Sequence, residues 1–92
     1  MSDLLQARWE PSPDAMANAV GGETVILHLG NGTYYGLDQI SSRLWNGLKG
    51  GLRPSDICAE LLDEYDVERQ QLESDISELL RDLAEHDLIT RA

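Results

Sequence analysis

The residues of this 92-residue chain that could do chemistry are few and stand far apart. Cys58 is the only cysteine, and Asp56 and Glu60 stand two positions from it on either side. Nearby carboxylates raise the pKa of a thiol, which disfavours a nucleophilic cysteine. The two histidines, His28 and His86, lie too far apart for the spacing of a zinc site. We therefore expect no catalytic residue, no metal site and no cofactor.

Gly30-Asn31-Gly32 is the segment that most invites comparison with a phosphate-binding loop. It is too short, and no helix follows it directly, whereas phosphate loops have the order strand, glycine-rich loop, helix. Its residues instead tolerate the positive φ values of a tight hairpin turn. Carboxylate pairs are plentiful, but on so acidic a surface their spacing carries no information. The sequence predicts a protein that is not an enzyme.

The charge of the chain is concentrated in one half. Residues 56–87 contain twelve acidic and two basic residues, which accounts for the whole net charge of −10. Nucleic-acid binding needs a basic surface that displaces counterions from phosphates, and an anionic membrane would repel this half. We therefore expect neither partner. Two interpretations of the acidic half remain open: solvated helix faces, or a rim that selects a partner with basic residues.

The chain shows no targeting signal. No run of 18 apolar residues is present, and the first residues lack the apolar core of a signal peptide. A single cysteine excludes an internal disulfide and suits a reducing compartment, so we expect a cytoplasmic protein.

The elements that must position any site form an α+β domain, with a three-stranded antiparallel sheet followed by three helices. Residues 1–13 are expected to be a flexible arm because Pro11 and Pro13 disfavour a helix, although Trp9 has the character of a packing residue. Residues 14–92 are expected to be the domain. The predicted strands cover about 15–20, 23–29 and 33–37, and the predicted helices about 39–49, 54–65 and 67–86.

The second predicted strand has the clearest alternation. Val25, Leu27 and Leu29 alternate with Thr24, Ile26 and His28, which is the period of a half-buried strand. His28 is expected at the surface or in a groove. In the third strand, Tyr35 and Leu37 are expected on one face, with Tyr34 and Gly36 on the other.

The helices carry apolar stripes. Asp38 is a good N-cap for the first helix, whose stripe includes Trp45, and Pro54 suits the first turn of the second. The third helix has a wide stripe, of which we assign Ile76, Leu80 and Leu83 to the core. Its residues Leu72, Asp75, Leu79 and Asp82 share one side. That line is either a groove wall or an ordinary helix boundary.

A short meander leaves two sheet edges with unpaired backbone groups. The strand over 33–37 is short and flanked by glycines, and an extended peptide can add to such an edge as a further strand. The long third helix is the natural second wall of the resulting groove. The sequence therefore favours a peptide-binding protein.

The ordered motifs resemble a known family. They are GETVILHLGNGTYYGLD, a helix with Arg43-Leu44-Trp45, and DICAELLDEYDVERQQLESDISELLRDLAEHDLI, and the resemblance around them covers roughly residues 15–89. The chain resembles the pyrroloquinoline quinone biosynthesis protein D (PqqD) family, called recognition elements for ribosomally synthesised, post-translationally modified peptides (RiPPs). This resemblance implies a winged-helix-like fold, no catalysis, and binding of the leader segment of a precursor peptide as an added strand.

The resemblance also implies which residues contact the peptide. They are Thr33, Tyr34, Tyr35, Gly36 and Leu37 of the strand, and Asp75, Leu79 and Asp82 of the third helix, beside the stripe residue Leu72. The enzyme that receives the peptide is either a leader peptidase with a cyclase, as in lasso peptide biosynthesis, or a radical enzyme, as in quinone-cofactor biosynthesis. The alternatives from other classes are a winged-helix DNA-binding regulator, which the charge disfavours, and a domain that docks an enzyme without binding peptide.

Overall fold

A computed structural model describes residues 3–92 of the chain and shows an α+β fold. The predicted order of three strands followed by three helices is confirmed, and a small two-stranded sheet is added to it. The elements are α1 Asp3–Gln6, β1 Trp9–Pro11, β2 Ala15–Val20, β3 Glu23–His28, β4 Tyr34–Leu37, α2 Gln39–Lys49, α3 Pro54–Glu64, α4 Arg69–Glu85 and β5 Ile89–Arg91.

Strands β2, β3 and β4 form an antiparallel meander in that spatial order. Met16 and Tyr34 both pair with Leu27 across the sheet, so the strands lie in one continuous register. Gly21 and Gly32, in the two turns, have φ values of 65° and 74°, which a side chain would strain. The glycines therefore make both hairpin connections possible.

The turn between β3 and β4 is held by His28, which is buried. Its Nδ1 accepts hydrogen bonds from the backbone N–H groups of Gly30 and Asn31, at 3.0 and 3.2 Å. The expectation that His28 lies at the surface or in a groove is therefore wrong. The ring is buried because its polar atom satisfies two backbone donors of the turn.

The buried face of β3 is the one that carries Thr24, Ile26 and His28. The more apolar set on the other face remains accessible, with Val25 at 39% and Leu29 at 57% exposure. The helices cover only one side of the sheet, and that side decides which set is buried. We call the uncovered side the outer face and the covered side the inner face. As expected, Tyr34 and Gly36 share the outer face and Tyr35 and Leu37 the inner one.

The core lies between the inner face and the helices. The side-chain carboxylate of Asp38 accepts the Ser41 N–H at 2.8 Å and caps α2, while Pro54 opens α3. Arg43 forms an ion pair with Glu64 that joins α2 to α3 and lowers the pKa of that carboxyl. The largest fully buried apolar side chains of the helices are Leu44, Trp45, Leu48, Ile57, Leu61, Leu80 and Leu83. In the described part of the chain, no helix is long and apolar enough to cross a membrane.

The segment expected to be an arm packs on the domain in the structure; its first two residues lie outside the described part. Strand β1 pairs with β5, so that Trp9 lies opposite Arg91. The Trp9 indole donates to the Leu4 carbonyl at 3.0 Å, and the Arg91 guanidinium lies 5.3 Å from the ring centroid. Leu5 and Trp9 are 7% and 8% exposed and belong to the core. Residues 11–13 are not helical, but the prolines prevent neither the short helix α1 earlier in the segment nor a short edge strand.

Candidate peptide-binding groove

Three side chains that could do chemistry, Cys58, His28 and His86, are not assembled into a reactive site. Cys58 is buried on α3, and burial raises the pKa of its thiol to about 11, with the Glu73 carboxylate adding to the shift. His28 caps a turn and His86 lies at the end of α4. Among residues 3–92, no group of His, Cys, Asp and Glu has the arrangement of a metal site.

The edge of β4 that points away from β3 presents free backbone groups from alternate residues. The His28 N–H donates to the Thr33 carbonyl at 2.9 Å, so 28 and 33 are a hydrogen-bonded pair. Because bonded and non-bonded pairs alternate in an antiparallel ladder, Tyr35 and Leu37 also bond to β3. The N–H and C=O groups of Tyr34 and Gly36 therefore point away from β3. No described strand pairs with them.

Thr33 differs from the other residues expected along this edge. Its carbonyl accepts from His28, and its N–H donates to Oδ1 of Asn31 at 2.9 Å. Both backbone groups are therefore used within the turn. The structure leaves Tyr34 and Gly36 as the residues of the predicted strand whose main chain is open.

Two observations relate helix α4 to strand β4. Near one end, the Tyr35 hydroxyl donates a hydrogen bond to the Asp82 carboxylate. Near the other end, Asp38 and Asp75 line the same cavity. The three strand steps from Tyr35 to Asp38 span about 10 Å, and so do the seven helix steps from Asp82 to Asp75. From the matching lengths we infer that the β4 edge lies alongside the acidic and apolar line of α4, and we call the space between them the β4–α4 groove.

One end of this groove is closed by a cluster of three side chains. Besides Tyr35 and Asp82, it includes His86, whose ring lies edge-on to Tyr35 with centroids 5.6 Å apart. The His86 Nδ1–H donates to the Asp82 carbonyl at 2.8 Å. Burial raises the pKa of Tyr35 to about 12, and the hydrogen bond to Asp82 adds to the shift. Asp82 is therefore engaged in holding β4 against α4, with its side chain still 50% exposed.

The other end of the groove opens into a cavity of about 310 Å³. Its walls are mainly apolar, with Leu72 buried at 5% and Leu79 half-buried. The exposed Asp75 stands at its rim and accepts a hydrogen bond from Gln71 at 2.9 Å. The lining residues are Asp38, Ile40, Ser41, Val67, Gln71, Leu72, Asp75, Ile76 and Leu79. Such a cavity suits an apolar side chain with a polar or basic neighbour.

The structure thus brings together all four predicted residues of α4. Leu72, Asp75 and Leu79 line the cavity, and Asp75, Leu79 and Asp82 line the adjoining outer surface of the helix. Sequence reasoning missed the contribution of Ile40, at the start of α2, and of Val67, which is 40% exposed. For Ile40 the sequence did contain a signal: a helix that starts directly after β4 must place its first turn at the end of that strand.

A protein-family model decides the relationship of this chain. The model described as coenzyme PQQ synthesis protein D (PqqD) matches residues 23–89, which include the whole β4–α4 groove. The chain belongs to the PqqD family. The resemblance inferred from the motifs is therefore confirmed.

Solved structures of two other proteins are similar to this PqqD-family chain. TbiB1, solved in complex with the TbiA(beta) leader peptide, is 39% identical, with a TM-score of 0.82 over 87% of this chain and 93% of its own. Lasso peptide synthetase B1, complexed with the leader peptide, is 27% identical, with a TM-score of 0.83 over 91% of this chain and 99% of its own. A comparison with curated proteins finds no match.

Proposed function

We propose that this protein binds the leader segment of a ribosomally synthesised precursor peptide and delivers it to a modifying enzyme or peptidase. The observation that carries the proposal is the open edge of β4, where the main-chain N–H and C=O groups of Tyr34 and Gly36 point away from β3. An added strand would gain main-chain hydrogen bonds there, and its side chains would alternate between the groove and the outer face. The protein itself would contribute binding and no chemical step.

The similar proteins support the same peptide class. Both were solved with leader peptides, and one is described as lasso peptide synthetase B1. We therefore propose lasso peptide biosynthesis, in which a separate peptidase and an ATP-dependent cyclase would receive the leader. Quinone-cofactor biosynthesis is the second candidate, because the matching family model carries that description. A peptidase and a cyclase encoded next to a short precursor would support the first, and a radical enzyme in their place would support the second.

The first prediction concerns leader binding itself. Two synthetic leaders serve as probes: that of the precursor encoded beside this protein, and the TbiA(beta) leader. We expect the neighbouring leader to bind with a Kd measurable by calorimetry. Addition to the β4 edge should shift the backbone amides of Tyr34 and Gly36 in a ¹H–¹⁵N spectrum more than those of Ala15–Val20 on the opposite edge. A measurable Kd without a shift of the amide signals of Tyr34 and Gly36 would exclude strand addition. If neither leader binds, the proposed function is excluded.

The second prediction concerns the charge at the rim. We propose that a basic residue of the leader faces Asp75, which is exposed beside the cavity. Asp75→Lys would replace a weak attraction by a similar repulsion, so the leader Kd should rise about three- to tenfold. Asp63→Lys makes the same change of net charge on the exposed surface of α3 and should leave the Kd unchanged. Equal effects of the two variants would show that only the overall charge matters.

A further inference from the structure

Gly36 has no evident structural reason to be glycine. Its φ lies outside the positive range, unlike those of Gly21 and Gly32, and it pairs regularly with Val25. A Cβ built on it would meet no atom within 4 Å, so no part of the described fold approaches it closely. Glycine in a strand loses conformational entropy and offers no side chain for packing. The residue therefore weakens β4 without serving the turn geometry or the core.

The missing side chain leaves a notch in the outer face of the sheet. Behind the notch, on β3, Val25 is 39% exposed, and beside it Tyr34 is 71% exposed. On the other side of Gly36 is the open edge of the sheet. Among the described residues of the three strands, Glu23 is the one charged side chain that faces outward. The notch therefore has Val25 behind it and Tyr34 beside it, and it opens toward the position of an added strand.

We propose that Gly36 is a specificity-determining residue: its notch accepts one large apolar or aromatic side chain of the bound leader. This inference rests on the proposed strand addition. A leader residue beside Gly36 would lie two strand spacings, about 10 Å, from Val25. An aromatic or long aliphatic side chain can extend over the glycine toward Val25 and pack against Tyr34, whereas alanine or serine is too short. The groove then selects the inward side chains of the leader, and the notch selects one outward side chain.

The test fills the notch. Gly36→Val adds a β-branched side chain that favours a strand and meets open space, so the variant should fold with an unchanged or higher Tm. The tighter-binding of the two leaders should bind it about tenfold more weakly, because the buried apolar contact over Gly36 is lost. Asn18→Val is the matched control. It adds the same side chain to the same face on β2, across Val25, and should bind like the wild type.

An alanine scan of the leader identifies the side chain. On the wild-type protein, one outward position should lose about tenfold in affinity when changed to alanine, and on Gly36→Val the same change should have almost no effect. Unchanged leader affinity of Gly36→Val, or an identical scan on both proteins, would overturn the inference. The proposed function would survive that result as long as the amides of β4 still shift, whereas failure of the wild type to bind a leader would remove both.

Discussion

Replacing Trp45 by alanine is expected to lower the free energy of unfolding by about 3–5 kcal/mol. Trp45 is 2% exposed on α2, where its ring is part of the core between the sheet and the helices. Globular domains have roughly 0.05–0.15 kcal/mol of stability per residue, hence about 5–14 kcal/mol for a chain of this length. The substitution should therefore remove a large fraction of the total. Urea denaturation followed by far-UV circular dichroism measures the change.

Trp45→Phe provides the matched control. The indole Nε1–H of Trp45 is buried, and no atom of the described residues accepts its hydrogen bond. A buried donor without an acceptor costs about 1–3 kcal/mol, and phenylalanine removes it while keeping an aromatic ring. We expect Trp45→Phe to cost much less than Trp45→Ala. Equal losses would mean that the indole group contributes polar contacts as well as volume.

The largest effect on binding is expected from Tyr34→Pro. Proline removes the N–H that points away from β3 and places a ring on the open edge, while the hydrogen bonds of Tyr35 and Leu37 to β3 are kept. One neutral hydrogen bond contributes about 0.5–1.5 kcal/mol, and the ring also blocks close approach of a strand. The leader Kd should rise at least about tenfold. Calorimetry measures the Kd, and the Tm shows that the variant is folded.

Two further variants separate the causes of this effect. Tyr34→Ala removes the outward side chain and keeps the backbone donor, so it should bind more tightly than Tyr34→Pro. Ala17→Pro makes the same backbone change on the opposite edge of the sheet. The Leu29 N–H donates to the Asp14 carbonyl, so 14 and 29 are a hydrogen-bonded pair. Because such pairs alternate with non-bonded ones, the backbone N–H of Ala17 also points away from β3. Equal affinities of Tyr34→Pro and Tyr34→Ala would show that the leader does not bond to this edge.

The parts of the fold that were predictable have local causes. Glycines in the Gly30-Asn31-Gly32 turn, an acidic cap at Asp38 and a proline at position 54 act on their immediate neighbours, and each is visible in the sequence. The apolar stripe of α4 likewise follows from helical spacing. These signals were sufficient for the order and approximate extent of the three strands and three helices.

The parts that were missed depend on distant contacts. Strands β1 and β5 have three residues each and pair across almost the whole chain, so neither shows a periodic pattern. In β3 both alternating sets contain large apolar residues, and only the position of the helices decides that Ile26 is buried and Val25 is not. His28 looked exposed because its burial depends on two backbone donors in a turn.

The groove was predictable to a similar degree. The edge strand and the line on α4 could be inferred because each lies on a single regular element. The cavity could not, because Ile40, Val67 and Leu72 come from three separate segments that meet only in the folded chain. Nor could the sequence show that Asp82 is bound by Tyr35 or that Thr33 has no free backbone group.

The alternation along β4 has a consequence for how such a protein can diverge. The groups that Tyr34 and Gly36 present at the open edge of the sheet are the backbone N–H and C=O, which every amino acid except proline supplies in full. If a leader adds to this edge, mutations at Tyr34 and Gly36 can therefore change which leader side chains are accepted without removing the main-chain hydrogen-bonding groups, provided that the inner residues still pack. Recognition of a new precursor would then need only a few exchanges at the rim, while the scaffold is inherited unchanged.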